Sequence, residues 1–216
     1  IRLSKTGSQV SKLLKQLHKV PRPKIGSRLI EGINKMKLGL LTAPLPNVPL
    51  YDIADWASAQ GFEMLEVCCW PKSAGANRRY AGITHIDVDG ISQDQCDEIV
   101  GELKNRNIAM SALGYYPNNL HPDPAHRHEV NEHTKKVIRA AGMMGIPVIS
   151  TFIGADASKT QDQNWEDAKK NWPDIFKYAE DCNVKIAIEN CPMIFSKDEW
   201  PGGHNLAYSP RMWREM

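Results

Sequence analysis

The stretch Val184-Lys185-Ile186-Ala187-Ile188-Glu189-Asn190-Cys191-Pro192 decides how this chain is read. A short apolar run rich in β-branched residues reads as a buried strand of a parallel sheet. It ends in a carboxylate and an amide, and Pro192 cannot continue a central strand. A charged side chain at the end of a core strand is costly unless a partner or a metal compensates it. In a barrel of parallel strands, that end is where the chemistry sits. Glu189 is therefore the first candidate for catalysis. The plainer alternative is a carboxylate that caps the strand and points into water.

Upstream of this strand the chain alternates short apolar runs with helical patterns. The expected strands are residues 38–42, 62–67, 108–113 and 146–153, before the Glu189 strand. The expected helices cover about residues 50–60 (closed by Gly61), 93–106 (capped by Ser92), 124–144 (stopped by Gly145) and 165–182. Ser209 as N-cap and Pro210 in the first turn open one more. Repeated strand–helix units imply parallel strands with right-handed crossovers, which suits a doubly wound sheet or a (β/α)8 barrel. No Gly-x-Gly-x-x-Gly and no Walker-type loop follows any strand, which weighs against nucleotide-binding sheets. The loops after strands two, three and five are long and polar, as barrel active-site loops are. Five strands in about 180 residues extrapolate to eight in roughly 280, a usual barrel size. The expected fold is thus α/β, a (β/α)8 barrel truncated after about five strand–helix units. Its open sheet edges predict poor stability for this stretch alone.

The net charge of +2 hides an asymmetry: residues 1–35 carry nine Lys/Arg against Glu31 alone, and residues 36–216 have a balance of −6. The leader 1–35 reads as an organelle transit peptide, as a nucleic-acid-binding arm, or as a disordered extension ahead of Met36. The last is the preferred reading, with residues 36–216 as the partial barrel. The acidic body argues against nucleic acid as a partner. No run reaches the roughly 18 apolar residues of a membrane span. Five cysteines with no Cys-x-x-Cys pair make neither a disulfide framework nor a thiolate zinc site. Reduced thiols point to a cytoplasmic compartment, with organelle targeting by residues 1–35 left open.

Four segments carry a resemblance: Met36-Lys37-Leu38-Gly39, Gly61-Phe62-Glu63-Met64-Leu65-Glu66-Val67, Asn119-Leu120-His121-Pro122-Asp123 and Ile188-Glu189-Asn190. In this order they resemble the sugar phosphate isomerase/epimerase family, which has a xylose isomerase-like TIM barrel. The resemblance covers about residues 36–216. It implies a divalent metal at the C-terminal mouth, held by carboxylates and a histidine, with Glu189 as one ligand that doubles as acid/base. It places the remaining ligands on strands six to eight, beyond Met216. Mn²⁺, Mg²⁺ or Co²⁺ suits such a carboxylate-rich site. The implied activity is isomerisation or epimerisation next to the carbonyl of a sugar, by proton abstraction through an enediolate. Two alternatives stand beside it, an endonuclease IV-like metal phosphodiesterase and a non-catalytic sugar-binding domain.

The other candidates surround the same mouth. Glu66 ends strand two and is expected either to touch substrate or to cap a loop. Tyr116, Asn119 and His121 follow strand three in a polar loop suited to hydroxyls and carbonyls, though such residues are also ordinary turn chemistry. Asn190, Trp200 and His204 complete the expected carbohydrate-binding set, with Trp200 on a glycine-hinged loop over the strand-five end. Trp70 and Phe152 offer ring faces for a sugar or simply pack. On the helix after Pro124, His128 and His133 lie five residues apart, about 140° round the axis. They miss the one-turn register of a zinc motif, so a solvated face is expected. A homo-oligomer is left open.

Overall fold

The computed structural model describes residues 36–72, 82–194 and 203–216. The expectations for residues 1–35 and for Trp200 lie outside those residues. Five parallel strands, β1 (Gly39–Leu41), β2 (Met64–Cys68), β3 (Ala109–Gly114), β4 (Val148–Thr151) and β5 (Lys185–Ile188), form one sheet in the order β1-β2-β3-β4-β5. A doubly wound sheet reverses its order at a switch point. An order that follows the sequence, with helices between successive strands, is barrel architecture, and the five units make part of a (β/α)8 barrel.

The helices are α1 (Leu50–Gln60), α2 (Gln93–Asn105), α3 (Pro124–Met143), α4 (Gln161–Asn171), α5 (Pro173–Asp181) and α6 (Pro210–Glu215). Their ends follow local chemistry. Gly61 stops α1 at φ 88°, a left-handed turn that costs glycine no steric strain. Ser92 and Gln95 form a reciprocal capping box on α2, and Asp123 caps α3 ahead of Pro124. The single helix expected over 165–182 is two. Thr160 and Gln163 start α4 earlier through a second capping box. Pro173 lacks an amide donor and its ring excludes a continuous helix, so the chain breaks after Trp172.

Leu65, Val67, Leu113 and Ile149 are fully buried under the helices with Ile53, Leu103, Ile138, Trp172 and Ile175. Side chains alternate along a strand, so the intervening Glu66, Gly114 and Ser150 face the other side, the barrel interior. A register shift between Leu65 and Glu66 sets Glu66 opposite Ala112, and the Ser111 hydroxyl donates to the Leu65 carbonyl at 3.1 Å. Such irregularities re-aim a side chain beside a site. The buried strand expected around Ile186 is corrected. Among the described residues β5 pairs only with β4, so Lys185 and Ala187 are exposed and Ile186 and Ile188 half-buried. β1 is the opposite edge, with Gly39 and Leu41 exposed.

Candidate active site at the C-terminal mouth

The register carries three ionisable groups to the same end of the sheet. Gly114 of β3 lies beside Cys68 of β2 and Ser150 of β4, and Ser150 pairs with Ala187 of β5. Glu189 leaves β5 with its amide donating to the Thr151 carbonyl at 3.0 Å. Tyr116, two residues past β3, turns back so that its hydroxyl donates to the Glu66 carboxylate. Its ring lies against Phe152, centroids 5.2 Å apart. Gly114 makes room for this pair. A Cβ there would sit 3.0 Å from Glu66 Oε1 and 3.1 Å from Tyr116 Cε2.

Electrostatics divides the roles. Burial, then the Glu66 carboxylate, push the Tyr116 phenol far above its ordinary range, and Glu189 adds to the effect. Tyr116 is therefore a neutral donor at any working pH. The Glu189 carboxyl is raised from 4.5, first by partial burial on the mouth side and then by Glu66. Much of the residue is exposed along the edge of β5 that pairs with no described strand, so solvent moderates the effect. Two carboxylates close enough to act electrostatically on one another, one of them raised, are compatible with acid/base chemistry.

The loops above these strands are tied by buried amides. Asn119 is fully buried: its Nδ2 donates to the Phe152 carbonyl at 2.8 Å and Thr151 Oγ1 at 3.2 Å, and its Oδ1 accepts from Thr134 Oγ1 at 3.0 Å. The structure thus sets Asn119 inside the wall, where all three bonds fasten the β3 loop to β4 and α3. Neighbouring Asn118 bonds the backbone of Ala155 in both directions, at 2.7 and 2.9 Å. Gly154 (φ 88°) allows this contact, because a Cβ there would lie 2.4 Å from the Leu120 nitrogen.

The remaining candidates disperse. The Asn190 carboxamide turns outward and accepts from Trp213 Nε1 of α6 at 2.9 Å, away from the carboxylates. His121 stands on the rim, its ring 4.5 Å from that of His126, and burial followed by His126 lowers its pKa. The His204 amide donates to the carbonyls of Pro192 and Met193, and its imidazole acts electrostatically on His121. Trp70 packs edge-on against Tyr115 at 4.9 Å. On α3 the solvated face holds for His126 and His128 but not for His133, whose Nε2 pairs with the Cys69 carbonyl at 2.8 Å beneath the helix. Asn205, fully buried and bonded to the backbone around Glu189, is a participant that no motif had marked. Its only sequence signal is a polar residue two positions after Gly203.

Residues 54–214 match the family model described as the xylose isomerase-like TIM barrel. This chain belongs to that family. Among curated relatives, the uncharacterized protein YfiH of Bacillus subtilis (strain 168) is 27% identical over 183 residues, 72% of this chain and 55% of that protein. Among solved structures, D-psicose 3-epimerase with D-tagatose from Clostridium cellulolyticum H10 superposes with a TM-score of 0.55 at 18% identity, over 75% of this chain and 55% of that one. The IOLI protein with a bound zinc atom superposes at 0.50 with 17% identity, over 71% and 51%. These structural likenesses establish the shared barrel. The chain spans about half the length of the relatives it matches.

Among the described residues no group of three or more His, Cys, Asp or Glu could hold a metal. The partly exposed Glu189 carboxylate fits one ligand of a hard divalent cation, since oxygen donors suit such an ion.

Proposed function

We propose that this xylose isomerase-like chain contributes the β2–β5 half of an active site that isomerises or epimerises a sugar or sugar derivative next to its carbonyl. The observation that carries the reading is the convergence of Glu189 and Glu66 at the strand ends, with Glu189 held toward its protonated form.

The step to be catalysed is removal of a weakly acidic C–H proton beside a carbonyl. Glu189 takes that proton as its carboxylate; in isomerisation it returns the proton to the adjacent carbon, whereas epimerisation requires a second acid, from outside the described residues, to protonate the opposite face of the same carbon. Partial burial on folding takes water away from this carboxylate, which strengthens it as a base toward a C–H proton. Glu66 stays fixed by the Tyr116 hydroxyl and serves as an oriented acceptor for substrate hydroxyls. Phe152 and the Tyr116 ring give the mouth an apolar wall against which a sugar face can lie. A divalent cation, held by Glu189 with ligands from outside the described residues, would polarise the carbonyl and stabilise the enediolate. The zinc-bearing IOLI structure supports metal use by this barrel.

Epimerisation and aldose–ketose isomerisation share this first proton transfer, so a substrate panel of both kinds tests the reading. Turnover by the intact protein that requires metal and vanishes in Glu189→Gln is the expected result. Full activity in Glu189→Gln would remove Glu189 from the chemistry. A phosphodiesterase reading finds less support, because residues 36–216 carry an acidic balance of −6.

A further inference from the structure

We propose that Asn205 is the positioning residue that fixes Glu189 at the mouth, an inference that rests on the reading of Glu189 as the acid/base. Asn205 is fully buried, and its carboxamide makes three bonds, all to backbone. Nδ2 donates to the Glu189 carbonyl at 3.1 Å and to the Cys191 carbonyl at 2.6 Å, while Oδ1 accepts from the Gly154 amide at 3.2 Å.

Two carbonyls demand a donor and one amide demands an acceptor, so the environment fixes the orientation of the side chain. Only a carboxamide meets all three needs with one short group. The surrounding backbone reinforces the clamp. Leu206 donates to the Gly154 carbonyl and Cys191 to the Ala207 carbonyl, both at 3.1 Å. The His204 amide reaches Pro192 and Met193, where Gly203 is required because a Cβ would lie 1.9 Å from the Pro192 oxygen. Residues 203–207 therefore strap the end of β5 to the loop leaving β4.

The end of β5 needs such a strap. Glu189 lies one residue beyond the last β4–β5 pair, Thr151 and Ile188, on a strand that among the described residues pairs on one side alone. Its own amide bond to Thr151 holds one side of the backbone, and Asn205 holds the carbonyl on the other. Without that second bond the Glu189 carbonyl loses its side-chain anchor, and the side chain shifts relative to Glu66 and Tyr116, on which it acts electrostatically.

The test compares Asn205→Ala and the isosteric Asn205→Asp with Asn164→Ala in the intact protein. Asn164 is a buried carboxamide that bonds the backbone of Asp156 and Thr160 and does not touch β5. Two readouts are needed: the amide and carboxyl NMR signals of Glu189 in metal-free protein at fixed pH, and kcat and KM measured separately. We expect both Asn205 variants to move the Glu189 signals and to lower kcat by about 10–100-fold, with KM within about threefold of wild type. Asn164→Ala should lose stability without moving those signals. Glu189 signals that respond no more to Asn205→Ala than to Asn164→Ala would reduce Asn205 to a structural role and overturn the proposal. Should Asn205→Ala fail to fold, Asn205→Asp carries the same comparison with packing volume kept. If the wild type turns over no sugar, the functional reading fails while the NMR comparison still decides the clamp.

Discussion

Gly114→Ala tests how closely the mouth is built. The new methyl group would lie 3.0 Å from Glu66 Oε1, 3.1 Å from Tyr116 Cε2 and 3.6 Å from Glu66 Cγ. Ordinary contact begins at 3.4 Å, so the first two atoms must each retreat by a few tenths of an ångström. Neither has a free path: Tyr116 is backed by Phe152, and Glu66 Oε1 is held by the Tyr116 hydroxyl itself. Overpacking of this kind costs about 1–3 kcal/mol. Alanine's smaller loss of chain entropy offsets roughly 0.5–1 kcal/mol of it. The expected net destabilisation is about 0–2.5 kcal/mol, a fall in Tm of at most roughly 10 °C for a domain of this size. Displacing Glu66 should also lower kcat by about 10-fold or more. Gly101→Ala is the control, since its Cβ meets nothing within 4 Å and it lies inside α2. That change should stabilise by about 0.5–1 kcal/mol and leave turnover alone. Thermal melts and steady-state rates on both variants read the outcome. A Gly114→Ala protein with wild-type Tm and turnover would refute the packed Glu66–Tyr116 pair.

Three further perturbations separate the roles of the mouth residues. Glu189→Gln should abolish turnover yet raise Tm at neutral pH. A carboxyl whose pKa is raised on folding adds stability below its ordinary pKa of 4.5 and loses it as pH rises through the folded value. A melt at pH 7 that shows Glu189→Gln less stable than wild type contradicts this. Glu66→Gln should bring the Glu189 titration, followed by carboxyl NMR on metal-free protein, down toward 4.5, because one of its two causes is removed; an upward movement would mean that the two carboxylates do not face each other. Asn119→Ala should destabilise by about 1–3 kcal/mol, since the Phe152 carbonyl and Thr134 lose a buried partner. Denaturant titration measures this, and an unchanged midpoint would show that water takes over those bonds.

Much of the fold was legible because its signals are local. Gly61, Ser92, Pro124 and Ser209 mark helix ends by their own backbone and hydrogen-bonding chemistry, and each marks the end it was expected to mark. The break at Trp172-Pro173 was missed because the apolar periodicity on its two sides runs through the proline. The exposure of β5 was hidden because a run such as Lys185-Ile186-Ala187-Ile188 reads the same whether its outer neighbour lies among the described residues or not. At the candidate site, the positions of Glu189, Glu66 and Tyr116 at or just beyond strand ends were legible from the sequence, and their roles remain the proposal. Asn119 and Asn205 were not, because an asparagine in a loop gives no sign of facing substrate or the loop's own backbone. Their burial depends on residues far away in sequence, 32 positions for Asn119 with Thr151 and 51 for Asn205 with Gly154.

Turnover by the intact protein over a panel of ketoses and aldoses, with Mn²⁺ or Mg²⁺ supplied and then withdrawn with EDTA, tests whether this chain serves a metal-dependent sugar isomerase or epimerase. The expected result is epimerisation or isomerisation that is lost on chelation, restored by metal and absent in Glu189→Gln at any metal concentration. Folded, metal-loaded protein that converts no sugar, or a Glu189→Gln variant that converts it as wild type does, would contradict it.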